Sequence, residues 1–299
     1  MGYRHTPRFA VGSEPLLTVG FIGAGRVART LAPALHKAGY DIRAVANRSR
    51  ASAEALVDAI GAEAVSPQEV VDHCALVFLA VPDGAIAFVA EAVAWRSGQA
   101  AVHLSGALGR GALAAAADAG AATGAFHPVQ TFGGTGTRTT LDGVAFGIDA
   151  EPPFYGVLAA MAERLGGRAL RVPSEARALY HAGAVLACGY LTTLLGEAVS
   201  VWERAGLSRA DAQAALARMA ETTATNVGAA GAGEALTGPI VRGDAATVRA
   251  HLAALRRTSP QTLEAYKAVG KRAATLAEAN GGGGGVDWNA LFEEARQCG

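Results

Sequence analysis

Four polar side chains stand out in a largely apolar chain as groups able to do chemistry: Ser105, His127, His181 and Arg242. His181 interrupts Ala178–Gly196, a stretch without a single Asp, Glu, Lys or Arg. An imidazole buried on an apolar helix is unfavourable unless a partner or ligand satisfies it. It can serve as a general acid toward an oxygen or nitrogen that becomes negative during a reaction, or it can be a core histidine bonded to its neighbours. Tyr180, adjacent on the same helix, points about 100° away, so the two are not expected to act together. His127 precedes Pro128 and a Gly/Thr-rich loop (132–140) on what reads as an irregular segment, where polar groups often serve ligands; the alternative is an imidazole bonded to backbone. Ser105, with Gly106, follows an apolar run, and its hydroxyl can hold a carboxylate or carbonyl or cap the next turn. Within LTGPIVRGD, where Asp244 is the expected N-cap of the next helix, Arg242 can bind a substrate carboxylate or be paired to an acid in a well-made interhelix turn, 237–244.

A second set of residues points to a ligand with phosphates. VGFIGAGRVART places Gly23, Gly25 and Ala28 in GxGxxA spacing, directly after a predicted strand and at the start of a predicted helix. The first glycine permits a tight turn, the second lets backbone approach a pyrophosphate, and the small third residue lets helix pack on strand. Free N–H groups at the helix start, carried by the stretch Gly23, Ala24, Gly25, Arg26 and Val27, hold negative charge. An acid at the end of the second strand would bind a ribose diol and repel a 2′-phosphate. This chain has Asn47-Arg48-Ser49-Arg50 there, groups suited to gripping a phosphate, so NADP(H) is expected over NAD(H), with Asn47, Arg48 and Ser49 on the 2′-phosphate. Val81 and Pro82 in LAVPD fall where the fourth strand should end and are further candidate cofactor contacts.

The elements that must position these groups alternate. Apolar runs at 16–22, 42–46, 76–81 and 100–104 are separated by helical stretches, with further strands expected at 122–126, 143–148 and 168–172. Strands alternating with helices imply a mostly parallel, doubly wound α/β sheet. Beyond Pro173 the strand signal stops and long helices are expected at about 174–205, 208–228, 244–256 and 260–279. The expected organisation is a cofactor-binding domain at 15–172 and an all-α domain at 173–299. Gly281–Gly285 reads as a flexible connection before a short closing helix.

Composition narrows the class. With 299 residues, 51% hydrophobic and 17% charged, the chain can bury a large core in about two domains. Lys+Arg 26 against Asp+Glu 26 gives no net charge, which argues against nucleic-acid or charged-membrane binding. Three widely spaced cysteines without a CxxC suggest neither a disulfide framework nor a zinc site, and so a reducing cytoplasm. Residues 1–14 lack an apolar segment and read as a frayed start, not a signal peptide. The 178–196 helix is long enough to span a bilayer, but its Tyr, His, Thr, Gly and Ala content favours a buried helix at a domain centre or dimer core.

GAGRVA with NRS, LAVPD, HLSGA (103–107), FHPVQTF (126–132), YHAGAVLACGYL (180–191) and LTGPIVRGD together resemble the Rossmann-like family with a C-terminal domain of unknown function 2520. That family is similar to ketopantoate reductase and pyrroline-5-carboxylate reductase within the 6-phosphogluconate-dehydrogenase-like superfamily. The resemblance implies an N-terminal Rossmann domain binding NADP(H), and a helical domain that forms a homodimer and closes the active site. It implies an NADPH-dependent oxidoreductase acting on the C=O or C=N of a small carboxylate-bearing substrate. Two other readings accompany it: an F420-dependent NADP oxidoreductase, and a non-catalytic NADP(H)-binding sensor or scaffold. Where the family helix commonly reads Ser-Asn, this chain has Cys188-Gly189, so an amide near the substrate is missing. The lysine that ketopantoate reductases use on the helical domain is absent too, because the only lysines are Lys37, Lys267 and Lys271.

Overall fold

The computed structural model describes residues 17–133 and 139–294. The expectations for residues 1–14 and for Cys298, and part of the Gly/Thr-rich loop, lie outside these. Eight strands form one sheet in the order β3-β2-β1-β4-β5-β6-β7-β8. They are β1 (Thr18–Ile22), β2 (Asp41–Ala46), β3 (Glu63–Ala64), β4 (Leu76–Leu79), β5 (Ala100–His103), β6 (Ala122–Pro128), β7 (Ala145–Ala150) and β8 (Arg168–Arg171). Neighbours pair in parallel except β6 and β7, which are antiparallel. The order 3-2-1-4-5-6 puts the switch in winding direction between β1 and β4, and ligands bind at the carboxyl ends of strands beside such a switch.

β1, β4 and β5 are short apolar runs because helices cover both sheet faces. On one face Phe21, Phe78, Phe126 and Phe146 form a ladder with centroid spacings of 5.1, 6.0 and 4.6 Å. Leu31 and Leu35 of α1 (Arg26–Lys37) and Leu158 and Met161 of α6 (Phe154–Arg164) belong to the same core. The other face packs Val77, Leu79 and Ala101 with Val70 and Val71 of α3 (Pro67–His73) and Ile86 of α4 (Ile86–Glu91). Burial of each such side chain stabilises by about 1.5–3 kcal/mol. α2 (Arg50–Val57) and α5 (Ala114–Asp118) complete the winding.

Local departures from expectation have local causes. β3 is only two residues long, too short to leave a periodic signal. The helix expected from Asp83 begins as a 3-10 turn, Asp83–Ala85, with Gly84, a poor helix former, inside it. β6 runs on through His127 to Pro128 because β7 pairs with it, His127 opposite Gly147 and Pro128 opposite Phe146. His127 therefore sits on a strand, not on an irregular segment.

The chain divides into two compact units at Cys188/Gly189, later than the boundary expected at Pro173. The reason is α7 (Arg177–Val185): it sets Arg177 and Tyr180 against Gly147 of β7, so it belongs with the sheet. A π-turn, Leu186–Tyr190, follows. The second unit holds α8 (Leu191–Arg204), α9 (Arg209–Ala235, broken at Gly231), α10 (Ala245–Thr258), α11 (Pro260–Ala279) and α12 (Trp288–Glu294). Its core contains Val248, Leu252, Leu255, Leu263, Trp288, Leu291 and Phe292. The glycine run is no flexible link. Gly281, Gly283, Gly284 and Gly285 all have positive φ, and the Gly283 N–H donates to the Val241 carbonyl (3.0 Å). The Trp288 indole donates to Gly283 O (3.1 Å). Only glycine fits this fold-back, since a Cβ on Gly284 would meet Gly243 Cα at 2.7 Å.

The apolar helix is not buried within the chain as expected. Tyr180, His181, Ala184 and Val185 are half-buried, whereas Leu179 is 82% and Leu186 62% exposed. By length and composition alone, Ser174–Arg204 is the one helix among the described residues able to cross a membrane.

Candidate active site

The carboxyl ends of β1, β2, β4, β5 and β6 lie along one edge of the sheet and carry most of the residues singled out by type and spacing; His181 is on α7 and Arg242 in the second unit. After β1, Gly23 has φ +112°, and a Cβ there would collide with the Ala80 carbonyl in the loop after β4. The turn is a cradle closed by backbone, and Gly25 N-caps α1 with no side chain on its free N–H groups. Ala28 is fully buried against the sheet, while Gly25 and Arg26 are exposed, Ala24 is buried and Val27 half-buried. An uncapped helix start with backbone this close fits a pyrophosphate. Of the β4 loop, Val81 is half-buried and Pro82 exposed.

At the end of β2 the polar residues divide by role. Asn47 Oδ1 accepts from Ala24 N (3.2 Å) and its amide donates to Ser49 O (3.0 Å), so Asn47 braces the glycine turn from within. These bonds use its oxygen and one of its two amide hydrogens. Ser49 caps α2, accepting from Ser52 N. Arg50 pairs with Glu54 at 2.8 Å. Arg48 is exposed with no ion pair among the described residues, which leaves its guanidinium available to a 2′-phosphate beside the start of α2.

On the β5 side, Ser105 is held at every polar atom. Its Oγ donates to Asp83 Oδ2 (2.8 Å) and accepts from Ala107 N (3.2 Å) and Leu108 N (3.0 Å). A hydroxyl has one proton and two lone pairs, so this one is fully used, and the turn-capping alternative is the one the structure makes. Ser105 N donates to His103 Nδ1 (3.2 Å), and Ser105 O accepts from the Arg177 guanidinium (2.6 Å). His103 Nε2–H donates in turn to Gly109 O (3.1 Å). His103 is thus a satisfied core histidine, pushed down to about 4 mainly by burial.

The residue after this clamp, Gly106, gathers the remaining groups. A Cβ on it would meet His181 Cδ2 at 2.7 Å and His127 Cε1 and Nε2 at 2.9 Å. His127 Nδ1 lies 2.7 Å from the Tyr180 hydroxyl. Tyr180 and His181 both present their rings to His127, with centroids at 5.6 and 6.1 Å. The 100° between adjacent helical residues does not separate them, because His127 lies between their two directions. The Tyr180 hydroxyl reaches the sheet where Gly147 has no side chain to block it. Burial, with the Arg177 charge and His181 in support, pushes His127 down to about 4, so its ring is neutral near pH 7. Burial raises the Tyr180 phenol, partly offset by Arg177. The arrangement is a protonated phenol hydrogen-bonded to a neutral imidazole, with the phenol the member of the pair that has a proton to give. His181 has no hydrogen-bond partner among the described residues and is the free imidazole of the group.

Arg242 belongs to the second unit. It is exposed on the Gly238–Asp244 turn and has no ion pair among the described residues. Asp244 caps α10 as expected, accepting from Thr247 N (3.0 Å), whereas the acid partner that the interhelix-turn alternative gives Arg242 is not found among the described residues. Spacing had overlooked Asp83, His103 and Arg177, and had set Tyr180 aside. Their partners lie 22, 2, 72 and 53 residues away, and only the His103 contact is local. Cys188, at the missing Ser-Asn position, approaches Thr131 Oγ1 at 3.2 Å. Among the described residues no group of His, Cys, Asp or Glu can hold a metal ion.

Comparison with known proteins agrees with this architecture. The model of a Rossmann-like domain matches residues 8–128, and that of DUF2520, a domain of unknown function, matches residues 144–273. The chain therefore carries the domain pair its motifs resemble. No curated protein sequence matches it. Among solved structures, it is similar to a reductive aminase from Aspergillus terreus in complex with NADPH (18% identity, TM-score 0.65, covering 93% of this chain and 99% of that one). It is similar to an imine reductase from Pseudomonas sp. (22%, 0.61, covering 94% and 100%). It is also similar to a 1-pyrroline-5-carboxylate reductase from Streptococcus pyogenes (14%, 0.62, covering 95% and 99%). At these identities the likeness is one of fold.

Proposed function

We propose that the protein is an NADPH-dependent oxidoreductase reducing the C=N or C=O of a small carboxylate-bearing metabolite. The observation that carries this reading is the convergence of Gly106, His127, Tyr180 and His181 on the same sheet edge as the Gly23–Gly25 cradle. The bound nicotinamide would supply hydride. Gly23, Ala24 and Gly25 would hold the pyrophosphate on backbone N–H groups, and Arg48 would grip the 2′-phosphate. The Tyr180 phenol would donate the proton that the reduced oxygen or nitrogen needs, His127 Nδ1 would hold that hydroxyl in place, and the phenolate left behind would recover a proton from water. His181 would bind the substrate's polar atom from the other side of Gly106. Support for a C=N or C=O substrate comes from the reductive aminase, imine reductase and pyrroline-5-carboxylate reductase that share the fold.

The exposed Leu179 and Leu186 support a homodimer in which a second copy covers this helix. Three widely spaced cysteines without a CxxC suit a reducing cytoplasm. Sedimentation as a dimer would agree with the covered helix, and a stable monomer would remove it.

The function is tested by following NADPH oxidation with ketopantoate, pyrroline-5-carboxylate, cyclic imines and 2-keto acids, with and without F420. Turnover of one of these without F420 supports the reductase. Turnover only with F420 would assign the deazaflavin reaction. Tight NADPH binding with no turnover under any condition would leave a sensor or scaffold.

A further inference from the structure

Arg177 is fully buried, yet no carboxylate forms an ion pair with it among the described residues. One guanidinium nitrogen donates to Ser105 O at 2.6 Å, and a second approaches Gly147 O at 3.5 Å. Its Nε has no partner, and the group lies 5.8 Å from the centre of the Tyr180 ring. Burying a cation this way is costly, and a well-packed neutral side chain would serve packing alone as well or better. The three groups it touches are those that shape the site: the peptide leading into Gly106, the Gly147 backbone beneath the Tyr180 hydroxyl, and Tyr180 itself.

We propose that Arg177 is a positioning residue for this site, its buried guanidinium holding the Ser105–Gly106 peptide and the Tyr180 ring so that the His127–Tyr180 pair keeps its proton-transfer geometry. The proposal rests on the reductase reading for what the pair does, though not for how it is held. Ser105 cannot move without breaking bonds to Asp83, His103 and Arg177 together, and Gly106 leaves no room for a side chain beside His127 and His181. Arg177 is the only member of this clamp that also contacts Tyr180, so it couples the β5 turn to the phenol. Its charge acts in the same sense, keeping a second positive charge off His127. The other charged or titratable groups facing the cluster are Asp83 in the loop after β4, His103 on β5, Asp149 on β7, and Tyr180 and His181 on α7. Asp149 is held elsewhere, by Ser174 and Arg110.

The test is the titration of His127 by NMR on histidine-labelled full-length protein, in the wild type and in Arg177→Met and Arg177→Lys, alongside kcat, KM and melting with NADPH. Wild-type His127 is expected to stay neutral down to about pH 4. Arg177→Met, folded and still stabilised by NADPH, should move that titration upward by about one pH unit. It should lower kcat by about 100-fold with KM little changed. Arg177→Lys keeps the charge and should return the titration toward wild type while recovering part of kcat. A folded Arg177→Met with His127 unmoved overturns the proposal, as does an Arg177→Lys that behaves like Arg177→Met. Should Arg177→Met not fold, a wild-type His127 that titrates near 6.5, or an Arg177→Lys with unchanged kcat, would overturn it. The titration needs no substrate. Failure of the reductase reading would show instead as a wild-type protein that oxidises no NADPH.

Discussion

The two ends of the same sheet edge are built on opposite plans. At the β1 and β2 ends, Gly25, Arg26, Arg48 and Ser49 are exposed, the α1 N-terminus is uncapped, and the bracing hydrogen bonds run mainly within neighbouring turns. At the β5 and β6 ends, Ser105 has no unused hydrogen-bonding atom, Arg177 is buried, and His127 is tied to Tyr180 across 53 residues. A surface that recognises phosphate can leave its donors open, because the ligand brings the negative charge and water fills in until then. A surface that moves protons must be fixed beforehand, since reorganisation during reaction adds to the barrier. The open end would set affinity and nucleotide preference, and the saturated end would set rate.

That contrast is broken most severely at the cradle. Gly23→Val puts a side chain into the Ala80 carbonyl at a positive φ, and is expected to abolish stabilisation by NADPH, read by calorimetric melting. Retained stabilisation would mean the nucleotide binds elsewhere. Next, Tyr180→Phe should lower kcat by about 100-fold or more while leaving NADPH binding intact; an unchanged kcat would move the donor role to His181. Arg48→Ala should reduce preference for NADPH over NADH by about tenfold, consistent with losing one charge-assisted contact. Its kcat with saturating NADPH should hold. Ser105→Ala releases Asp83 and uncaps two N–H groups, and should cost about 1–2 kcal/mol of stability, with kcat falling less than in Tyr180→Phe.

Acid sensitivity sharpens the same comparison, because both strongly shifted histidines lie at the saturated end. His103 and His127 are held at about 4 in the folded state against an ordinary value near 6.5. Between these values the unfolded chain binds more protons, so stability should rise with pH from about 4 to 6.5 and level off outside that window. Melting temperature measured against pH should show this rise, and His127→Gln should reduce its size. A flat profile would mean that the imidazoles are not buried as described.

The same difference explains what could be read from the chain. The cradle was legible because Gly23, Gly25 and Ala28 are contiguous and follow a strand, so one segment carries the whole motif. The mostly parallel, doubly wound sheet followed from alternating apolar runs, although β3 is too short to register. The saturated end was legible only as separate candidates. Ser105, His127 and His181 were marked by type, and the Ser105 cap is local, but the Ser105–Asp83 and His127–Tyr180 bonds depend on pairings across the sheet edge that no local period encodes. Arg177 belongs to no motif, and its burial emerges only once α7 lies on β7. Conversely, Gly281–Gly285 looked flexible by composition, yet their positive φ values and the Val241 and Trp288 bonds make an ordered turn.

The central claim, that this sheet edge is built to receive NADP(H), is tested most directly by thermal unfolding with NADPH, with NADH and with neither. A ligand that binds only the folded state stabilises it by about 2.7 kcal/mol at a hundredfold excess over its dissociation constant. NADPH should therefore raise the melting temperature by several degrees, and NADH at the same concentration by less. An unchanged melting temperature with both nucleotides would contradict the cofactor assignment and the reductase function that rests on it.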